Sequence, residues 1–247
     1  MNRALAAELF KLRTTRTSWG VTLGALGLVL VISLGAALAG DFSPGDEPGI
    51  DLLEISGLVQ IFALVLGILV VATEFRHGTI TPSLLAIPNR LRLVNAKLIA
   101  STLAGAALGL VATALCAAIV LSLLSSRGIE TGARSGDVAE LVIGNAAASA
   151  LFAAIGVGLG ALLRNQVGAI IGALGWLFLV EPLLTLIPGF NDVISKWFPS
   201  GVASATAGTA ESPDALDQLP AGLVLAGYAA VFVAAGLAVI RRRDVSA

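Results

Sequence analysis

The sequence predicts an all-α membrane protein with six transmembrane helices, and three observations indicate this fold class. Hydrophobic residues make up 57% of the chain, whereas charged residues make up only 13%. Soluble domains carry about twice that share of charge. The mean hydropathy is +0.94, and the apolar residues are concentrated in six uncharged runs. A helix needs about 20 apolar residues to cross the hydrocarbon core, so these runs are the candidate spans.

The uncharged runs set the bounds of the predicted spans. We place them at about 19–40, 55–73, 98–123, 141–163, 165–187 and 220–240, within one transmembrane domain over 19–247. The fifth run is the shortest, because Glu181 and Pro182 separate it from the apolar residues that follow. We therefore expect the fifth helix to be interrupted near Glu181.

The distribution of lysine and arginine predicts that both termini are cytoplasmic. Twelve of the 15 basic residues fall on the side of the termini, and the opposite side carries Arg127, Arg134 and Lys196. Loops rich in these residues stay inside. A cleavable signal ending near 37–39 is the alternative at the N-terminus. It fits less well, because a signal core has about 7–15 apolar residues and the uncharged run here covers 17–40.

Residues 1–18 predict an amphipathic helix at the membrane interface. Leu5, Leu9 and Leu12 recur with helical spacing, and we expect Glu8 and Lys11 to point away from this apolar face. The alternative is a basic flank of the first span without a defined helix.

The loop at 74–97, between spans two and three, contains signals for a short cytoplasmic helix. Thr81 followed by Pro82 indicates a helix start, with threonine as the cap and proline at the first helical position, and Pro88 ends the helix. Two turns are too short to be stable alone, so the apolar side chains need a partner surface. Folding back against the membrane face is the alternative. The apolar residues of this helix are Leu84, Leu85 and Ile87.

The segment after the fifth span predicts a re-entrant extracellular hairpin. Residues 183–198 are apolar but interrupted by Pro188 and Gly189, so they are too short and too broken to cross. Trp197 suits the interface. The hairpin residues that we single out are Glu181, Pro182, Pro188, Gly189 and Trp197.

Several kinds of chemistry are missing from the sequence. His77 is the only histidine, so a multi-histidine metal site is excluded, and the acidic loop at 41–54 lacks the spacing of a calcium loop. No Gly-Lys-Ser/Thr phosphate loop and no nucleophile elbow occur. We therefore predict no catalytic residue, cofactor site or metal site on this chain. Cys116 lies in an apolar run and, as the single cysteine, forms no intrachain disulfide.

Pairs of glycines four residues apart occur in several spans. Such pairs allow helices to approach closely and mark seams within a chain or between two copies, although some arise by chance among 28 glycines. The pairs are Gly20/Gly24, Gly105/Gly109, Gly156/Gly160 and Gly168/Gly172.

Over most of its length the chain resembles the type-2 permease subunits of ABC exporters, and three segments carry the resemblance. The opening at 7–14, AELFKLRT, is similar to that of many small bacterial members. The run EFRHGTI at 74–80, followed by Pro88 and by Ala96-Lys97, resembles the Glu-aromatic-Arg-x-Gly-Thr run that the family carries between spans two and three. The interrupted segment between spans five and six is similar to the family's extracellular re-entrant helices.

This resemblance implies a bacterial inner-membrane location and a coupling helix that docks into a separate ATPase subunit. It further implies an ATPase dimer that binds ATP and Mg, and a second permease copy, identical or related, with spans one and five near the seam. ATP-driven closure of the ATPase dimer would then push on the coupling helix. The residues implied in coupling are Glu74, Arg76, Gly78, Thr79, Thr81, Pro82, Leu84, Leu85 and Ile87.

The apolar interiors of the spans favour an amphiphilic cargo, a drug, lipid or peptide, moved outward. We expect lipid and protein partners and no nucleic acid. Two other classes stay open: a secondary carrier or channel without an ATPase, and a non-transporting membrane anchor or sensor subunit. The near absence of ionisable residues inside the spans lowers the case for an ion-coupled carrier.

Overall fold

The computed structural model describes residues 2–42, 48–87, 89–210 and 212–242, and the regular elements in these ranges are helices. Six of these helices are long and apolar enough to cross a membrane, which confirms the predicted number of spans: α2, α3, α5, α6, α7 and α10. The helices are α1 (Asn2–Thr14), α2 (Arg16–Ala39), α3 (Gly49–Arg76), α4 (Ile80–Ala86), α5 (Arg90–Ser126), α6 (Ser135–Leu163), α7 (Gln166–Leu184), α8 (Asn191–Trp197), α9 (Pro199–Ala207) and α10 (Gln218–Arg242).

Several helices extend beyond the uncharged runs of the sequence. The helix α5 begins at Arg90, where the side chain of Asn89 accepts a hydrogen bond from the Arg92 amide at 3.1 Å. Because of this cap, Arg90, Arg92 and Lys97 belong to the helix, although the sequence assigned them to the loop before the third span. The position of a helix end depends on its cap as well as on its apolar residues. Near the N-terminus, α1 ends at Thr14 and α2 begins at Arg16. The first helix is therefore shorter than the predicted segment 1–18.

The fifth span is continuous through the point where the sequence predicts an interruption. The helix α7 runs through Glu181 and Pro182 to Leu184, with a π-helical stretch at Trp176–Val180 just before the proline. A proline has no amide hydrogen and crowds the carbonyl four residues earlier, and a local change to π geometry relieves this within a helix.

The helix α6 is the centre of the bundle, because glycines let its neighbours approach its backbone. A side chain at Gly156 would collide with the backbone of Leu64 in α3, and one at Gly105 of α5 would collide with the Ser149 carbonyl. A side chain at Gly158 would likewise collide with the backbone of Phe232 in α10. Two of the four predicted glycine pairs therefore serve packing within this chain.

The helices α2 and α7 lie at the edge of the bundle. Only 22% of the most apolar window of α2 and 11% of that of α7 are buried, against 61% for both α3 and α6, and α10 is as little buried as α2, at 22%. Gly20, Gly24 and Gly172, on these two helices, have open space where a side chain would stand.

Side-chain contacts define two ends of the bundle. At the basic end, the Arg164 guanidinium donates to the Val239 carbonyl at 2.8 Å, and Arg90 donates to the Ile240 carbonyl at 2.7 Å. At the far end, Arg127 donates to the carbonyls of Ala37 and Gly40. In each case an arginine satisfies carbonyls at the C-terminal end of a helix, where a cation is favoured. The helix α1 and the last turn of α10 both lie at the basic end.

Candidate functional site

The segment that follows α3 turns at a glycine before α4 begins. Gly78 has a φ of +67°, a conformation that favours glycine. Thr79 caps α4, and its carbonyl accepts hydrogen bonds from the Ser83 amide and hydroxyl at 3.3 and 3.0 Å. The predicted helix exists, but its start is two residues earlier than predicted. Pro82 is thus the third helical residue, where its missing amide costs little because the first four amides have no partner within the helix.

One side of α4 packs inward and its tip is exposed. Ile80 is buried, whereas Leu85 is 78% exposed, one of the most exposed large apolar side chains described. Thr81 and Pro82 are also exposed, and Ile87 is half-buried. The predicted contributions of the Leu84 side chain and of Pro88 lie outside the described residues.

Four charged side chains, Glu8, Lys11, Glu74 and Lys97, form what we call the charge cluster at the base of this segment. The Lys97 ammonium donates to Glu74 Oε1 at 2.7 Å, to Glu8 Oε2 at 3.0 Å and to the Val70 carbonyl at 3.3 Å. The Lys11 ammonium donates to Glu8 Oε1 and Glu74 Oε1, both at 2.8 Å. The cluster therefore joins α1, the end of α3 and the beginning of α5.

Burial makes the balance of charge in this cluster important. The Lys97 side chain is only 2% exposed, and its three donors are all used. A buried ion is tolerated when it is paired and hydrogen-bonded in this way. Lys11 is 46% exposed. Burial disfavours its charge, but the carboxylates of Glu74 and Glu8 outweigh this and raise the pKa of Lys11 above its ordinary value, so it stays charged at neutral pH.

In α1, the side chain of Glu8 turns toward the bundle. Glu8 and Ala4, one turn apart, are the buried residues of this helix, whereas Leu5, Leu9 and Leu12 are only half-buried. The reason is Lys97, which lies inside α5 and needs a carboxylate from α1. The sequence held one signal of this arrangement: Glu8 and Glu74 are two of only three acids on the predicted cytoplasmic side, the third being Asp244.

Arg76, the remaining residue predicted to take part in coupling, lies apart from the charge cluster. It is exposed at the end of α3, and its guanidinium donates to Gln166 Oε1 at the start of α7 at 3.4 Å. This contact connects the segment before α4 with the fifth span.

At the far end, α8 and α9 form a hairpin between the fifth and sixth spans. The buried Glu181 carboxylate accepts hydrogen bonds from the Ser200 amide, at 3.2 Å, and from the Ser200 hydroxyl. The Tyr228 hydroxyl donates to the Trp197 carbonyl at 2.7 Å. Tyr228 lies about 15 Å along α10 from Gln218, and its hydroxyl therefore connects the end of α8 to α10.

The other predicted hairpin residues are on the surface of the described chain. Pro182 and Pro188 are exposed, and Gly189 has a φ of +81°, which only glycine adopts readily. Trp197 is more than half exposed, and the neighbouring Phe198 ring stacks on Trp176 with ring centroids 6.0 Å apart.

A polar network inside the bundle was missed in the sequence. The amide of Asn145 in α6 donates to Thr113 Oγ1 at 2.8 Å and to the Ser56 carbonyl at 3.2 Å, and Gln60 donates to Asn145 Oδ1 at 2.9 Å. Cys116 is buried nearby, with its sulfur 3.1 Å from Ser33 Oγ. These hydrogen bonds link α3, α5 and α6 and fix their register.

Within the described ranges, no group of three or more histidine, cysteine, aspartate or glutamate side chains is arranged to hold a metal. A scan against models of known protein families finds no match for the chain, and a search of curated proteins finds no match either.

Proposed function

We propose that this chain is the membrane-spanning permease subunit of an ATP-driven ABC exporter of the bacterial inner membrane, with the basic end in the cytoplasm. The observation that carries the proposal is α4, a seven-residue helix that exposes Leu85 at the basic end. A helix of this length is unstable alone, and an exposed apolar side chain on it favours a partner surface. That surface would belong to the ATPase subunit.

The charge cluster supports a mechanical role for α4. Glu74 precedes the helix and Lys97 follows it, and their hydrogen bond closes the base of the segment. A push on α4 would therefore reach α3 and α5 together, and α1 through Glu8. ATP and Mg would bind to the partner ATPase, and the permease chain would hydrolyse nothing itself.

A second permease copy, identical or related, would pack against the exposed faces of α2 and α7. Apolar side chains such as Val31 and Ile171 are exposed there, and the open glycines Gly20, Gly24 and Gly172 would permit close approach. The hairpin of α8 and α9 would enter the membrane from the extracellular face, and the cargo would be amphiphilic.

Substitution at Leu85 tests the coupling role. The tagged chain is purified from its native host in mild detergent, the co-purifying chains are identified, and Mg-ATP hydrolysis is measured. We expect a partner with a phosphate-binding loop. Leu85→Asp should weaken its binding at least about tenfold, because about 2 kcal/mol of leucine burial is lost.

Leu85→Met is the matched control, because it keeps an apolar side chain and should retain the partner and the ATP hydrolysis. Equal recovery and equal ATP hydrolysis with Leu85→Asp would contradict the proposal. Transport without any ATPase would instead indicate a secondary carrier or channel.

A further inference from the structure

A cleft lies on the outside of the bundle, at the elbow between α1 and α2. It has a volume of about 250 Å³, and its floor is apolar, formed by Leu26 of α2, Leu66 of α3 and Ala107 of α5. It follows α2 from Ser18 to Leu26, about 12 Å at the helical rise per residue. The floor therefore runs along membrane-spanning segments and opens where the hydrocarbon of the bilayer would be.

The lining of the cleft is mostly apolar throughout. The lining residues that carry polar groups are on α1 and α2, at the basic end: Arg13, Ser18, Trp19 and Thr22. The indole nitrogen of Trp19 donates to the Arg13 carbonyl at 2.7 Å, across the junction of the two helices. This hydrogen bond helps to hold the elbow between α1 and α2.

The Arg13 side chain carries a positive charge that the described residues do not balance. It is exposed, and within the described ranges it has no ion pair and no side-chain hydrogen bond. The acids described at this end, Glu8 and Glu74, are already engaged by Lys11 and Lys97. An anion from outside the chain is therefore the complementary partner for Arg13.

We propose that this cleft binds one anionic phospholipid of the bilayer, with an acyl chain along the apolar floor and the headgroup phosphate at Arg13. A guanidinium matches phosphate oxygens in charge and geometry. Trp19 lies where an aromatic side chain meets the headgroup region. The bound lipid would fill the gap between the α1–α2 elbow and α5. The proposal is independent of the exporter function and of which side the basic end faces.

Native mass spectrometry of the delipidated full chain in detergent tests the proposal. Phosphatidylglycerol and phosphatidylcholine with identical acyl chains are added separately. We expect the wild-type chain to bind phosphatidylglycerol about fivefold more tightly, as one basic side chain near an anionic headgroup provides. Arg13→Gln should abolish the preference, whereas Arg92→Gln, at another exposed arginine of the basic end, should keep it.

Filling the floor tests the position of the acyl chain. Ala107→Phe should reduce the binding of both lipids, and Leu103→Phe, on an exposed part of α5 outside the cleft, should not. Equal binding of the two lipids by the wild-type chain, an unchanged preference in Arg13→Gln, or unchanged binding in Ala107→Phe would each overturn the proposal. Because Arg13 is exposed, its substitution removes no packing and keeps the test independent of folding.

Discussion

At the scale of single residues, Lys97 is the buried cation that joins three helices at the basic end. It lies inside α5, it is almost completely buried, and it binds carboxylates from α1 and α3 at once. Removing one partner of a buried ion pair leaves an uncompensated charge and is strongly destabilising. Replacing both partners by apolar residues costs much less. The same reasoning makes Lys11 less important, since water screens its half-exposed ammonium.

Lys97→Met should strongly destabilise the protein, because two buried carboxylates lose the buried one of the two cations that they share and only Lys11 remains to pair with both. We expect a loss of about 3–5 kcal/mol, measured by reversible unfolding in detergent. Lys11→Met should have a smaller effect.

Lys196→Met is the control for this substitution. Lys196 pairs with Asp214 at the surface, 3.2 Å away, and such pairs contribute about 1 kcal/mol or less. Equal stabilities of the Lys97 and Lys196 variants would show that the charge cluster has no role in folding.

At the scale of helices, close backbone contact determines which glycines matter. Gly156 of α6 lies against the backbone of α3, whereas Gly172 of α7 has open space around it. Both are helical, so alanine improves the helix propensity equally at the two positions, by about 1 kcal/mol. The difference between the two substitutions therefore measures the packing alone.

Gly156→Ala should destabilise the protein, because a methyl group at this position collides with the Leu64 carbonyl. Gly172→Ala should be neutral or stabilising by up to about 1 kcal/mol. Thermal unfolding in detergent compares the two variants, and stabilisation by Gly156→Ala would mean that α3 and α6 are not in close contact.

Among the described residues, hydrogen bonds of Ser200 with Glu181 and of Tyr228 with Trp197 attach the hairpin of α8 and α9 to the bundle. Tyr228→Phe removes the one to the Trp197 carbonyl, a loss of about 1 kcal/mol. The hairpin should then open more often, and a cysteine at Ser195 should react faster with a maleimide. The native Cys116 is buried and adds little background.

A cysteine placed at Ser212, outside the hairpin, is the control for this measurement. Its reaction rate should be the same with and without the Tyr228→Phe substitution. If the rate at Ser195 also stays unchanged, the Tyr228 hydroxyl does not hold the hairpin.

At the scale of the whole molecule, the orientation of the bundle decides which end meets cytoplasmic partners. The basic residues predict that α4 is cytoplasmic and that the segment after α9 is extracellular. In intact spheroplasts, a membrane-impermeant maleimide should therefore label Ser212→Cys. It should label Thr79→Cys only after permeabilisation. The reverse pattern would place the basic end outside and would contradict the exporter model.

The number of spans and the existence of α4 were predictable, because both depend on local properties of the chain. A membrane crossing requires a certain length of apolar residues in one stretch, and a glycine, a threonine and a proline mark the start of α4 within a few residues. The exact start of α4 was not predictable, since Thr79 and Thr81 are both suitable caps.

The sequence alone therefore determined the six spans, the two ends with opposite charge and the short helix between spans two and three. Only the tertiary structure decided which charges pair, which contacts attach the hairpin of α8 and α9 to α10, and where the cleft beside α2 opens. The charge cluster joins residues 8, 74 and 97, which are far apart in the chain and become neighbours only when the helices pack. Pairing of this kind depends on the distances between helices, and a local sequence pattern does not determine those distances.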